Sequence, residues 1–106
     1  MIARTAAPTF KKLALEMGGK NPTIIFADAD MERTIPETVR ASFANQGEIC
    51  LCGSRILVEE GAYDAYVDRF VEGVRALRVG DPLEKGTDLG ALISADHLDK
   101  VASYVT

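Results

Sequence analysis

Two segments of this chain carry side chains suited to covalent chemistry on a carbonyl. One is Phe43-Ala44-Asn45-Gln46-Gly47-Glu48-Ile49-Cys50-Leu51-Cys52-Gly53-Ser54-Arg55; the other, upstream, is Leu15-Glu16-Met17-Gly18-Gly19-Lys20-Asn21-Pro22. The first offers a thiol nucleophile in Cys50, the second a carboxylate in Glu16. Cysteine is the side chain best suited to attack an aldehyde carbon, and a glutamate beside flexible glycines can take a proton from a thiol or from water. Gly47 lets the backbone turn sharply ahead of Cys50 and expose a side chain and an amide together, so one residue can both attack and stabilise an oxyanion. The thiolate is the reactive form, and a free cysteine, with a pKa of about 8.5, is mostly protonated at neutral pH. A base is therefore needed, and Glu16 is the best candidate.

On residue type alone, Cys50 reads more readily as a small buried hydrophobe in a helix-to-strand turn. The surrounding residues reverse that reading. Leu15 to Pro22 and Phe43 to Ser54 resemble, position by position, the glutamate and cysteine signature patterns of the NAD(P)-dependent aldehyde dehydrogenase superfamily. The resemblance runs over essentially the whole chain, including Phe26-Ala27-Asp28-Ala29-Asp30 and Arg78-Val79-Gly80-Asp81-Pro82-Leu83.

The resemblance implies that the chain is part of a catalytic domain, with residues 1–17 at the end of the cofactor-domain side and residues 18–106 a catalytic-domain segment. It implies that Cys50 forms a thiohemiacetal with an aldehyde substrate and that hydride passes to NAD or NADP. Glu16 then activates the water that hydrolyses the thioester, while Met17 and Gly18 line the path of the nicotinamide ring. The Cys50 amide supplies one oxyanion donor. The wording Asn45 to Cys52 is similar to members that oxidise semialdehydes such as hydroxymuconic semialdehyde, and the full-length form is expected to be a homo-oligomer. Family members are several times longer than 106 residues, which makes this chain a fragment by that measure. The family's upstream oxyanion asparagine, its ribose-contacting lysine and its later ribose-orienting glutamate have no counterparts, so chemistry is encoded and cofactor binding is not.

The neighbouring residues read more plainly. Cys52 matches a position where the family accepts small residues and is expected to be a packed or half-exposed thiol. Glu48, two residues from Cys50, competes poorly as a base and reads as structural, its charge tuning the thiol. His97 reads as a solvated surface residue in the first turn of the last helix. With Cys50 and Cys52 it leaves a zinc ligand set short, so no metal is expected. Gly18-Gly19 is a tight turn and not a phosphate-binding fingerprint.

Composition limits the remaining choices. The chain of 106 residues is 47% hydrophobic and 26% charged, the make-up of one globular unit able to bury a modest core. Its net charge of -4, from 16 acidic and 12 basic residues with no Lys/Arg block, argues against nucleic acid or an anionic membrane as partner. No apolar run approaches the roughly 18 residues that span a bilayer, and the start lacks a secretory hydrophobic core. Two cysteines one residue apart are badly placed for a disulfide, which favours free thiols in a reducing, cytoplasmic setting.

The elements that must position Glu16 and Cys50 follow from periodicity. Leu13 to Met17 and Thr23 to Phe26 predict strand, turn, strand, with Glu16 at a strand end. Asp28 or Asp30 can cap a helix carrying Ile35, Val39 and Phe43 on one face and ending near Gly47. Pro36 requires either a start near Ile35 or a kink. Arg55 to Val58 predicts a buried strand. Tyr63, Tyr66, Val67, Phe70, Val71 and Val74 predict a helix, with Asp64, Asp68, Arg69 and Arg75 on its solvated side. Gly80-Asp81-Pro82 stops the chain, and Ser94 caps a last helix with Leu98, Val101 and Val105 inward. Strands alternating with helices favour an α/β fold with a parallel crossover. Two rival readings stand beside the dehydrogenase: a cofactor-independent thiol esterase acting through Cys50, and a non-catalytic remnant that associates through exposed edges.

Overall fold

The computed structural model describes residues 1–105. Its centre is a two-stranded parallel sheet, β1 (Pro22–Ile25) beside β2 (Arg55–Val58), with Thr23 opposite Ile56 and Ile25 opposite Val58. Parallel strands need a crossover, and here it is helix α2 (Met31–Phe43) followed by an irregular loop. A short α1 (Ile2–Ala6) precedes the sheet, while α3 (Tyr63–Arg75) and α4 (Ala95–Ala102) follow it. The α/β reading holds, because β-branched Thr23, Ile24, Ile25, Ile56 and Val58 suit the pleat while the 3.6-residue spacing of Ile35, Val39 and Phe43 suits a helix.

The core sits on one face of the sheet. Ile25, Ile35 and Tyr66 are buried together, with Ile56, Val58, Val67 and Phe70 packed against them. Tyr66 stacks on Phe70 at 5.6 Å between ring centroids, and Phe43 meets Phe70 at 6.2 Å. Gly73 lets α3 approach α2 closely, since a Cβ there would stand 3.0 Å from Val39 Cγ2. On the other face Ile24 and Leu57, paired in register, are both exposed.

Asp30, not Asp28, caps α2: its Oδ1 accepts from the backbone N–H groups of Glu32 at 3.1 Å and Arg33 at 3.4 Å. The helix begins at Met31, ahead of the start near Ile35 that was one of the two expectations, and runs through Pro36. The missing proline N–H would have met the carbonyl of Glu32, an exposed first-turn residue where water can take its place. Thr38, also on α2, donates from Oγ1 to Thr34 O at 2.6 Å. Among the described residues the buried Tyr66 hydroxyl has no partner of proper geometry. Burial raises the Tyr66 phenol above its ordinary pKa, an effect the neighbouring Thr38 hydroxyl only partly opposes.

Four expectations are corrected. Arg55–Val58 is a strand but not a buried one: Arg55 and Leu57 are exposed and Ile56 and Val58 half-buried, because only one face of the small sheet is packed. Leu13 to Met17 is not a strand, and Glu16 does not end one. Residues 10–21 hold no regular structure and are almost all exposed, because among the described residues no strand offers them a ladder partner. Leu98, Val101 and Val105 are not inward: they are 55%, 41% and 84% exposed, since among the described residues no element packs extensively against α4, which Val105 follows. On α3, Tyr63 and Val71 flank the apolar stripe and remain exposed, and Arg69 is paired with Glu32 at 2.8 Å and so is only partly solvated. The radius of gyration is 18.2 Å, against about 13 Å for a compact chain of 100 residues. Among the described residues no helix is long and apolar enough to cross a membrane.

Candidate active site

The loop carrying Cys50 is built on strained backbone. After α2 ends at Phe43, Asn45, Gln46 and Gly47 take left-handed conformations in succession, with φ of 50°, 59° and 76°. Asparagine tolerates this region and glycine is free in it, but for Gln46 it costs about 1–2 kcal/mol. Such strain persists only where the surroundings fix it. Glu48 N–H donates to Asn45 O at 2.9 Å and closes the turn.

Past Cys50 the chain is pinned to α2. Gly53 N–H donates to Ala41 O at 2.9 Å, Ser42 Oγ donates to Gly53 O at 3.2 Å, and the Cys52 thiol donates to Ser42 O at 3.1 Å. Cys52 is 6% exposed, the packed thiol its small-residue position predicted. Cys50 is exposed, and neither cysteine is in a disulfide. Among the described residues nothing accepts a hydrogen bond from the Cys50 backbone N–H, which leaves that donor available to a ligand oxygen.

The glutamate segment comes to the same place from the other side. Asn21, at the foot of β1, donates from Nδ2 to Cys50 O at 2.7 Å and to Cys52 O at 3.1 Å. Arg55, at the foot of β2, donates to Lys20 O at 2.5 Å. Gly19 lies so close that a Cβ on it would stand 2.8 Å from Cys50 O. These contacts bring Glu16, Met17, Gly18 and Gly19 opposite Gly47, Glu48, Ile49 and Cys50 around one open cleft of about 410 Å³. Glu16 and Cys50 therefore line one open cleft although Glu16 has no strand beneath it.

Two features escaped the sequence. Asn21 had no local signal, because its partners lie 29 and 31 residues away. His97 is not simply solvated: its Nε2 lies 2.8 Å from Glu48 Oε1, tying the first turn of α4 to the cysteine loop. Ser94 caps that turn as expected, accepting from His97 N–H at 3.1 Å. Both side chains of the pair are part-exposed, so the contact is worth at most about 1 kcal/mol to stability.

Comparison with known proteins bears on the same residues. The Aldehyde dehydrogenase family pattern matches residues 1–106. A 2-aminomuconic semialdehyde dehydrogenase of Danio rerio is 58% identical over 106 residues, covering 100% of this chain and 22% of that protein. A 2-hydroxymuconic semialdehyde dehydrogenase of Pseudomonas putida is 44% identical over 103 residues, covering 97% and 21%. Among solved structures, an NAD-dependent aldehyde dehydrogenase from Sinorhizobium meliloti superposes with a TM-score of 0.87 at 43% identity, over 98% of this chain and 21% of that one. The chain thus spans about a fifth of the length of these relatives. With the family pattern matched from end to end and the backbone shared with a solved member, the chain belongs to the aldehyde dehydrogenase family.

Proposed function

We propose that this chain carries the nucleophile and the general base of an NAD(P)-dependent oxidation of an aldehyde to a carboxylate. The observation that carries the reading is the cleft that Glu16 and Cys50 line together. Cys50 Sγ, as thiolate, attacks the aldehyde carbon, forming an S–C bond and an oxyanion that the free Cys50 N–H can hold. Collapse of that thiohemiacetal would restore the carbonyl and leave a thioester on Cys50 once a bound nicotinamide took up the hydride. Glu16 then takes a proton from water as it attacks the thioester carbon. The C–S bond breaks, carboxylate departs and the thiolate returns. A donor in the Cys50 amide position is worth about 3–4 kcal/mol at the transition state in comparable acyl-transfer sites.

The residues present fit one end of a nicotinamide cofactor. Gly18 has open space around it, with nothing within 4 Å of a Cβ built there, and Met17 is exposed on the same wall of the cleft. Met17 and Gly18 would border the ring, and the cofactor when bound supplies the hydride acceptor. On this reading residues 1–17 belong to the cofactor-domain side and residues 18–106 to the catalytic segment, and the longer enzyme is a homo-oligomer. Two free thiols support a reducing compartment such as the cytoplasm.

For the substrate we take a muconic-type semialdehyde, on the resemblance of the Asn45 to Cys52 wording. Relatives named for the 2-amino and for the 2-hydroxy compound both support that class.

An activated ester tests the nucleophile without a hydride acceptor. Mixing the chain with p-nitrophenyl acetate should release a burst of nitrophenolate and leave one acetyl group on Cys50 by peptide mass mapping, and Cys50→Ala should abolish both. Acetylation of Cys52 first, or a burst that survives Cys50→Ala, would refute the assignment.

A further inference from the structure

We propose that Asn21 is the positioning residue of the nucleophile, its carboxamide acting as a fork that holds Cys50 at a fixed place across the cleft from Glu16. This rests on the reading that Cys50 is acylated and that Glu16 activates water.

The cysteine loop has three left-handed residues on one side and two α2 anchors on the other. Those anchors, through Gly53 and the Cys52 thiol, lie beyond the nucleophile. At Cys50 itself, among the described residues, the only group that meets the backbone carbonyl is the Asn21 Nδ2, at 2.7 Å. The same nitrogen also meets Cys52 O at 3.1 Å, so both amide protons are used and the amide plane is fixed. Holding the Cys50 carbonyl restrains the position of the Cα that carries the thiol. It orients in turn the peptide that joins Cys50 to Leu51.

Asn21 is also the residue through which the other wall is held. Its backbone carbonyl accepts from Arg55 N–H at 3.2 Å, and the neighbouring Lys20 carbonyl accepts from the Arg55 guanidinium. Residues 10–20 have no ladder to keep them in place, so the Glu16 wall depends on this junction. One side chain thus ties the thiol to the segment that carries the base, and Gly19 supplies the room for the approach. Asn21 itself touches neither substrate nor water in this scheme; it acts through the two groups it aligns. Misplacement by about 1 Å can lower such a step by a factor of about 100.

The step most sensitive to the Glu16 to Cys50 alignment is hydrolysis of the thioester, whereas alkylation by a small reagent needs only an exposed thiol. The test acetylates Cys50 with p-nitrophenyl acetate and follows loss of the acetyl group by mass spectrometry, with iodoacetamide labelling of both cysteines run in parallel. Asn21→Ala should slow hydrolysis about tenfold, towards the rate of Glu16→Gln, while iodoacetamide labels Cys50 within twofold of the parent rate and Cys52 stays protected. Asn21→Ser, which keeps one shorter donor, should recover part of the loss. Hydrolysis in Asn21→Ala at the parent rate, with Glu16→Gln slow, would overturn the proposal and leave the proposed function standing. Hydrolysis in the parent no faster than in Glu16→Gln would instead overturn the function reading on which it rests. Exposure of Cys52 or loss of helical circular dichroism in both Asn21 variants would show a merely structural residue and also count against it.

Discussion

Asn21 Nδ2 reaches Cys50 O at 2.7 Å, and through that contact a segment without secondary structure is placed opposite a strained loop. Neither wall of the cleft is a helix face or a strand. Both are backbone held by a few directed hydrogen bonds just ahead of the amino ends of β1 and β2, in loops of the kind that commonly carry functional residues.

The two thiols should separate cleanly by reactivity. Cys50 is exposed while Cys52 is buried and donates to Ser42 O, so iodoacetamide under native conditions should modify Cys50 at least tenfold faster. Peptide mass mapping checks the order, and prior labelling of Cys52 would contradict the geometry.

Gly18 and Gly19, adjacent in sequence, should differ in tolerance. A Cβ on Gly18 meets nothing, so Gly18→Ala should change stability by less than about 0.5 kcal/mol. A Cβ on Gly19 would lie 2.8 Å from Cys50 O, an immobile backbone atom, so Gly19→Ala should cost about 1–3 kcal/mol. Urea unfolding followed by circular dichroism distinguishes them, and equal effects would mean the two segments do not approach as described.

How much of this was legible beforehand depends on whether the cause was local. The helix Tyr63–Arg75, the strand Arg55–Val58 and the Ser94 cap rest on periodicity or adjacent residues, and each was readable. Cys50 was proposed because Gly47 and its neighbours form a recognisable pattern, and its exposure is consistent with that proposal. The false strand at Leu13 to Met17 shows the limit: apolar residues signal a strand's preference, but the ladder partner is a long-range fact that this chain does not contain. Leu98 and Val101 fail for a similar reason: their spacing is helical, but among the described residues no element packs extensively against α4. Of the left-handed run, Asn45 and Gly47 carry a residue-type signal and Gln46 carries none.

Tyr66 should set an alkaline limit to stability. Its phenol is raised by burial above the ordinary 10.0, so the folded state keeps its proton longer than the unfolded chain. The contribution is complete below about pH 10 and is lost as pH rises through the folded value. Tyr66→Phe should remove this part of the loss. Because it also removes a buried hydroxyl with no partner, it should be neutral or stabilising by about 1 kcal/mol at pH 7. Urea midpoints between pH 8 and pH 11 check both, and an unchanged alkaline slope in the variant would refute the first.

Asp30 should matter more than its exposure suggests. It satisfies two amide donors at the start of α2, the helix that carries the anchors of the cysteine loop, so Asp30→Ala should cost about 1 kcal/mol. Thermal unfolding by circular dichroism measures it, and Asp28→Ala, where no cap bond exists, is the control.

The 106-residue chain by itself should reduce neither NAD nor NADP with any aldehyde. It spans about a fifth of its relatives, and the cleft proposed to meet the reactive end of the cofactor is lined by no group suited to its phosphates or riboses among the described residues. An absorbance assay at 340 nm reads this directly, and robust turnover would show that cofactor binding is encoded here after all.

The sharpest measurement is the lifetime of acetyl-Cys50 in the parent chain and in Glu16→Gln. If the carboxylate and the thiol act on the same carbon, the variant should form the thioester with an undiminished burst and hydrolyse it at least tenfold more slowly. Equal lifetimes would mean that Glu16 and Cys50 share a cavity without sharing a reaction.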